Sequence, residues 1–380
     1  MSARDGLACG LRQARVPEVT GVLTADQVLA TGRAIAAVQR PDGAIGWPDG
    51  HADAWNHVEC AMALTACGLT GPARRAYRWL AAAQRADGSW PKKTAGRVIT
   101  DAAAESNQAA YAAVGVWHEL LVTGDEDFTS VMWPVVRRAI EFVLGLRTAR
   151  GEFRWQRDAC GVPAAYALLA GCSSIHQSLR CAIALAEHVA EPQPEWELAA
   201  DQLGHVIACH PEAFADKSEF SMDWYYPVLG GAVRGEAARG RLAGRWDEFV
   251  EPGVGVRCVS DQPWVTGAET CELVLALDAI GDRDAAVELY AAVQHLRDGD
   301  GAYWTGWQFA NRDHFPAERS SWTAAAMILA ADALCGATGG SGLFRDAGAR
   351  PGPAAAADPD TCGCAAAARP AARPAPADGG

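Results

Sequence analysis

Gln39-Arg40-Pro41-Asp42-Gly43, followed by Trp47, returns 45 residues later as Gln84-Arg85-Ala86-Asp87-Gly88-Ser89-Trp90. Each copy follows an amphipathic stretch and leads into a Trp. A phrase reused at this period marks one supersecondary unit used again, so the unit has to be found before any chemistry is argued.

Working outward from the two copies, helical periodicity dominates and strand-like alternation is scarce. Six segments carry Arg, Glu and Asp on one face: 25–38, 73–84, 129–147, 196–209, 237–249 and 283–296. Six others alternate with them and are rich in Ala, Gly and Cys: 55–68, 106–122, 173–189, 223–232, 264–280 and 321–336. A helix that is apolar nearly all round is a buried helix. Joints fall at Gly71-Pro72, Trp133-Pro134, Glu191-Pro192 and Gly281-Asp282, where Gly and Pro punctuate. Twelve helices in this order predict an all-α closed double ring, six buried helices inside six polar-faced ones. An open superhelix would need capping repeats at both ends, and none is visible.

The chain has 380 residues, 50% of them hydrophobic, with a formal net charge of −13. That acidity argues against a broad nucleic-acid face. No apolar run reaches the roughly 20 residues of a membrane span, although peripheral membrane contact stays open. Residues 1–15 carry no signal-like apolar stretch, so the cytoplasm is the default location. Six of the 12 cysteines, Cys60, Cys67, Cys172, Cys181, Cys271 and Cys335, sit among Ala and Leu in helical segments, the setting of small buried thiols. Cys362-Gly363-Cys364 is the only close pair. Residues 338–380 are mostly Ala, Pro, Gly and Asp, too apolar-poor to offset ordering entropy, so the expected domain spans 21–337 with a loose 1–20 and a disordered tail. Oligomeric state is not legible.

In such a ring the inner helices run parallel, and their N-termini meet at one mouth. Asp53, Asp223 and Asp261 stand at three of those starts and are the candidate catalytic acids. Each is equally suited to cap its helix. Capping does not explain the companions. Trp55, Trp224, Trp264 and Trp322 fall at the starts, and Trp47, Trp90, Trp155, Trp304 and Trp307 in loops nearby, out of 14 Trp in all. Aromatics beside carboxylates around a cavity make a binding pattern. The expected substrate-binding set is Trp55, His57, Glu59, His176, Arg180, Trp224, Tyr225, Trp264, Glu269, Trp304, Trp307 and Trp322. His118, His188 and His205 read as surface positions. No metal and no cofactor are indicated.

The repeated phrase resembles the Gln-Trp repeat of the squalene–hopene cyclase and protein prenyltransferase superfamily. Gln294 through Asp300-Gly301-Ala302-Tyr303-Trp304 is a third copy, stretched by insertion, and Leu146 through Gly151 to Trp155 a degenerate fourth. The chain is also similar to actinobacterial single-toroid proteins that bear the prenyltransferase label for these repeats. The resemblance implies an (α/α)6 toroid and an isoprenoid enzyme, a prenyltransferase or terpenoid cyclase acting on a small-molecule substrate. The Asp-x-Asp-Asp acid of the cyclases has no counterpart here. Toroids also host glycosidases, lyases and epimerases, so a carbohydrate-active enzyme on a glycan is the alternative. A non-catalytic binding scaffold is the third.

Overall fold

The structure, a computed structural model, describes residues 15–346. Residues 1–14 and 347–380, with the Cys362-Gly363-Cys364 pair, lie outside the described residues. Helices alternate outer and inner in chain order. They are α1 (Ala25–Val38), α2 (Ala54–Ala66), α3 (Thr70–Ala83), α4 (Ser106–Ala110), α5 (Ala112–Thr123), α6 (Glu126–Leu144), α7 (Leu169–His188) and α8 (Pro194–Cys209). There follow α9 (Ser221–Leu229), α10 (Gly235–Gly244), α11 (Trp246–Phe249), α12 (Gly267–Ala279), α13 (Arg283–Ala292), α14 (Ser321–Cys335) and α15 (Leu343–Asp346). The inner ring is α2, the α4–α5 pair, α7, α9, α12 and α14. Each packs on the next, and α14 packs back on α2. The ring is closed, an (α/α)6 toroid as the helix count predicted.

Local chemistry sets these elements. Thr24 and Gln27 form a capping box at α1, Asp125 caps α6, and Gly124 and Gly336 end α5 and α14 in the left-handed conformation. Helix α14 is buried on almost every side. Helix α3 buries only Ala73, Ala76, Tyr77 and Leu80. Pro134, read as a joint, lies inside α6, which runs through it.

The repeated phrase builds the joints between outer helices. Gln84 Nε2 donates to the Gly88 carbonyl, 3.0 Å, and to that of Val135 in the next outer helix, 2.9 Å. Gln39 does the same with Gly43 and Pro72, both at 3.0 Å. A Cβ on Gly88 would stand 2.0 Å from the Arg138 carbonyl oxygen, so only glycine lets the turn touch the neighbouring helix. In the third copy Gly301 packs on Ala30 of α1, which joins the last repeat to the first.

Links from outer to inner helices are long (39–53, 84–105, 145–168 and 297–320 among them), while the returns are short, such as 67–69 and 124–125. All the long links therefore gather at the inner N-termini. They hold short strands that the periodicity did not reveal. The largest sheet is antiparallel, in the order Asp313–His314, Gly306–Gln308, Trp264–Thr266, Gly255–Arg257, Val250–Glu251. Strands this short carry too few residues to alternate visibly.

At the opposite end the chain stays ordered past the expected boundary at 338. Thr338 donates to Asp332 through its amide, 2.9 Å, and its hydroxyl, 2.5 Å, and Leu343 is buried. Beneath this segment lies His118, buried and not on the surface.

Candidate active site

Two layers of polar side chains occupy the inner ring. The upper one lies at the helix starts. Asp53 caps α2, its Oδ1 accepting from the Asn56 amide at 2.9 Å. Its Oδ2 accepts from Asn56 Nδ2, 2.6 Å, and from the Trp47 indole, 2.9 Å. Trp47 packs on Trp322 with ring centroids 5.8 Å apart. Glu269 sits in the first turn of α12, buried. Burial raises its pKa, with Thr266 and Cys258 alongside, and its Oε2 has no hydrogen-bond partner. Glu105, just ahead of α4, pairs with Lys92 at 2.6 Å; that ammonium stands 4.3 Å over the Trp155 ring. Asp223 belongs to the first turn of α9, and burial pushes it up to about 6.

The lower layer starts one and a half turns down α2. Trp55 stacks on Tyr111 at 4.7 Å and 5°. Its indole donates to Glu59 Oε1 at 3.0 Å, and the Tyr111 hydroxyl donates to the same oxygen at 3.1 Å. Glu59 Oε2 has no partner. Burial pushes Glu59 up to about 7. Glu272, one turn below Glu269, accepts from the Tyr226 hydroxyl at 2.6 Å and from that of Tyr225. Burial, then the nearby Glu59 and Glu269, hold it well above the usual carboxylate range. Glu59, Tyr111, Tyr226 and Glu272 line a cavity of about 20 Å³ closed below by Phe344, the size of one water.

Several expected residues lie elsewhere. Asp261 is exposed in the hairpin between two strands, because α12 begins three residues later than its Trp264 suggested. Trp224 is fully buried, stacked on Phe249 and donating to the Arg241 carbonyl at 2.9 Å; it wedges α9 against α10. His57 accepts from the Ile45 amide at 3.1 Å and donates to the Ala76 carbonyl at 2.8 Å, both nitrogens spent on tying a rim loop to α3. His176 bonds the Gly230 carbonyl at 2.7 Å, with Arg180 beside it on α7. Asp223 Oδ1 accepts from the Ala170 amide at 3.2 Å, so it serves the start of α7. Trp264 packs edge-on to Phe315, 5.0 Å apart. Trp304 stacks on His314 at 4.3 Å, and Trp307 meets the same ring at 5.2 Å. Trp264 and Trp307 lie in the five-stranded sheet, and Trp304 just ahead of it, bridged to Arg319.

The structure thus brings together Asp53, Trp55, Glu59, Tyr225, Glu269 and Trp322. The expected set leaves out Glu272, Tyr111, Tyr226 and Glu105, and Trp47 stands only among the loop aromatics. A signal existed for Glu272: it shares one face with Glu269, three residues apart in a helix otherwise nearly uncharged. Among the described residues no group of three His, Cys, Asp or Glu is placed to hold a metal ion.

This arrangement supplies buried carboxyls beside aromatic rings, the residue types of acid/base chemistry on sugars. The chain is 57% identical over 331 residues to the MMP endo-(1,4)-3-O-methyl-alpha-D-mannosidase of Mycolicibacterium hassiacum, covering 87% of this chain and 92% of that protein. The chain belongs to that mannosidase's family. This overturns the expected membership in the terpenoid cyclase and prenyltransferase superfamily, and with it the isoprenoid function. The Gln-Trp phrase misled because in this chain it encodes how outer helices join, which speaks for fold and not for reaction. The carbohydrate-active alternative is the one the relative supports. No family model matches the chain. Solved structures agree on the fold: a glycosidase variant in complex with glucose (TM-score 0.64, 13% identity, 82% of this chain and 97% of that one). D-mannose isomerase (0.59, 10%, 80% and 95%) and a Klebsiella oxytoca rhamnosidase with rhamnose bound (0.59, 17%, 84% and 65%) also match. No helix among the described residues is long and apolar enough to cross a membrane.

Proposed function

We propose that this chain hydrolyses internal α-1,4 linkages of a mannan bearing 3-O-methyl groups. Glu269 is the general acid and Asp53 its carboxylate partner. The observation that carries this is that two buried carboxyls stand at inner-helix starts, Asp53 capping α2 and Glu269 in the first turn of α12, in a relative of an endomannosidase. Glu269 is buried, which raises its pKa, and has one oxygen without a partner, the setting of a carboxyl that favours its protonated form and delivers the proton to the leaving glycosidic oxygen. Asp53 is surrounded by three donors, the arrangement of a carboxylate. It acts at the anomeric carbon, on water or directly. The C1–O bond breaks, the Glu269 proton goes to the departing oxygen, and water supplies the new hydroxyl at C1, its other proton going to Asp53 when Asp53 activates the water, or to Glu269 when Asp53 has attacked directly. Trp55, Trp304, Trp307 and Trp322 offer faces on which pyranose rings stack. The rim of short strands at the inner-helix starts suits an internal segment of a chain.

Asp53→Asn and Glu269→Gln should each lower turnover of a 4-linked 3-O-methylmannose oligosaccharide by roughly 10²–10⁴-fold, with helicity by circular dichroism unchanged. Proton NMR of the first-formed anomer reads whether Asp53 attacks directly or through water. Full turnover by Glu269→Gln would remove the assigned acid.

A further inference from the structure

We propose that the groove between α1 and α14, beside the mouth, is a subsite that takes the methyl ether groups of the glycan. This rests on the hydrolase reading above and adds the basis of its selectivity.

The groove holds about 290 Å³, near the lower limit for ligand pockets and enough for one sugar with its methyl. Its apolar wall comes from Ala34, Ile35, Val38, Pro48, Ala302 and Ala324. Val38 is 56% exposed, although it lies on a helix whose other large apolar side chains are turned inward. Trp47 also lines the groove. The same indole holds Asp53 at 2.9 Å, so groove and catalytic carboxylate share one side chain and one continuous surface.

The charged and hydroxyl side chains along the groove already have partners. Arg40 pairs with Asp42 at 2.6 Å. Arg319 pairs with Asp298 and Asp300 at 2.9 and 2.8 Å. Ser321 donates to the Gly46 carbonyl at 3.1 Å, and Ser320 is bonded to Thr323 at 2.8 Å. With both arginines neutralised, an anionic ligand gains little there. With Ser320 and Ser321 spent on these bonds, a sugar hydroxyl packed against the apolar wall would lose its water and find no partner there. A methyl ether has no proton to leave unpaired and buries its carbon against the apolar wall. The groove therefore prefers methylated over free hydroxyls, and its neighbourhood to Asp53 places that preference within a residue or two of the scissile bond.

The test uses the full chain and two matched substrates, 4-linked mannose oligosaccharides with and without 3-O-methyl groups. Ala34→Phe fills the groove. Val38→Asp, at an exposed position, puts a charge in it without threatening the fold. One methyl in an apolar pocket discriminates by roughly 10–200-fold. Each variant should therefore lower kcat/KM for the methylated substrate by about tenfold, mostly through KM, and leave kcat on the unmethylated one as in wild type. If both variants keep the wild-type ratio between the two substrates, the subsite is wrong and the hydrolase reading stands. If the wild-type chain cleaves neither substrate, the hydrolase reading falls and the subsite falls with it.

Discussion

Glu59 and Glu272 meet on the floor of the ring, where each makes the other harder to ionise. Glu59, with an ordinary value of 4.5, is pushed up to about 7 mainly by burial. The folded chain then binds more protons than the unfolded one between those values, so its stability contribution falls as pH rises through the window and is flat above it. Glu59→Gln removes the titrating group and keeps an oxygen for Trp55 and Tyr111. Its stability relative to wild type should therefore grow from pH 4.5 to about 7, by up to about 3 kcal/mol, and stay constant above. Buried His57, His118 and His176, each lowered to about 4 by burial, slope the other way below 6.5 in both proteins. Only the difference in urea midpoints isolates Glu59, and a difference independent of pH would refute the desolvated floor. At this scale the sequence was partly legible. Asp53, Trp55, Glu59 and Glu269 stand out because a charge or a large ring in a small-residue helix needs a reason. Trp224 and His57 carry the same signal, yet their partners, Arg241 and Ala76, lie on other helices that no spacing rule brings near.

The repeated phrase acts at the scale of elements. Its glycines are compelled twice over, by a left-handed backbone and by contact with the next outer helix. Gly88 has φ of 89° with the Arg138 carbonyl where a Cβ would go, while Gly21 has φ of 79° with open space around it. Gly21→Ala should cost about 1–2 kcal/mol, the backbone penalty alone. Gly88→Ala has to push two helices apart as well and should cost at least twice that in thermal or urea unfolding. Equal losses would mean that the joint between repeats is slack. This is why the fold was readable from one phrase: the positions that make the repeat visible are those that make the joint. The same fact explains the wrong function. Trp90 obeys the phrase and donates to the Leu80 carbonyl at 2.9 Å, whereas Trp47 in the looser copy turns to Asp53 and the site. A motif whose best-kept copies are structural says little about the chemistry at the mouth.

The whole molecule divides its labour between two faces. Long links and carboxylates gather at the inner N-termini, and the chain from Thr338 to Arg345 seals the other end. Composition placed the end of the fold near 338, since the sealing residues are few and show no period. Their work is mostly electrostatic. Thr338 satisfies buried Asp332, and Arg345 reaches buried Asp278. Gln177 donates to the Leu343 carbonyl at 3.0 Å, and Arg234 to that of Phe344 at 2.9 Å. A chain ending at Gly336 would leave the Asp332 and Asp278 carboxylates without these partners and would open the floor cavity beside Glu272. Removing one partner of a buried charge costs about 3–5 kcal/mol. The truncated chain should therefore melt roughly 5–10 °C lower. Asp53, Glu269 and the sheet are untouched by that cut, so turnover per folded molecule at 20 °C or below, scored on the same oligosaccharide, should match the full chain. A truncated protein that melts as before would show that the far end needs no seal. One that keeps its melting temperature but loses turnover would show that the two faces are coupled through the floor, with Glu272 carrying the effect from Phe344 to Glu269.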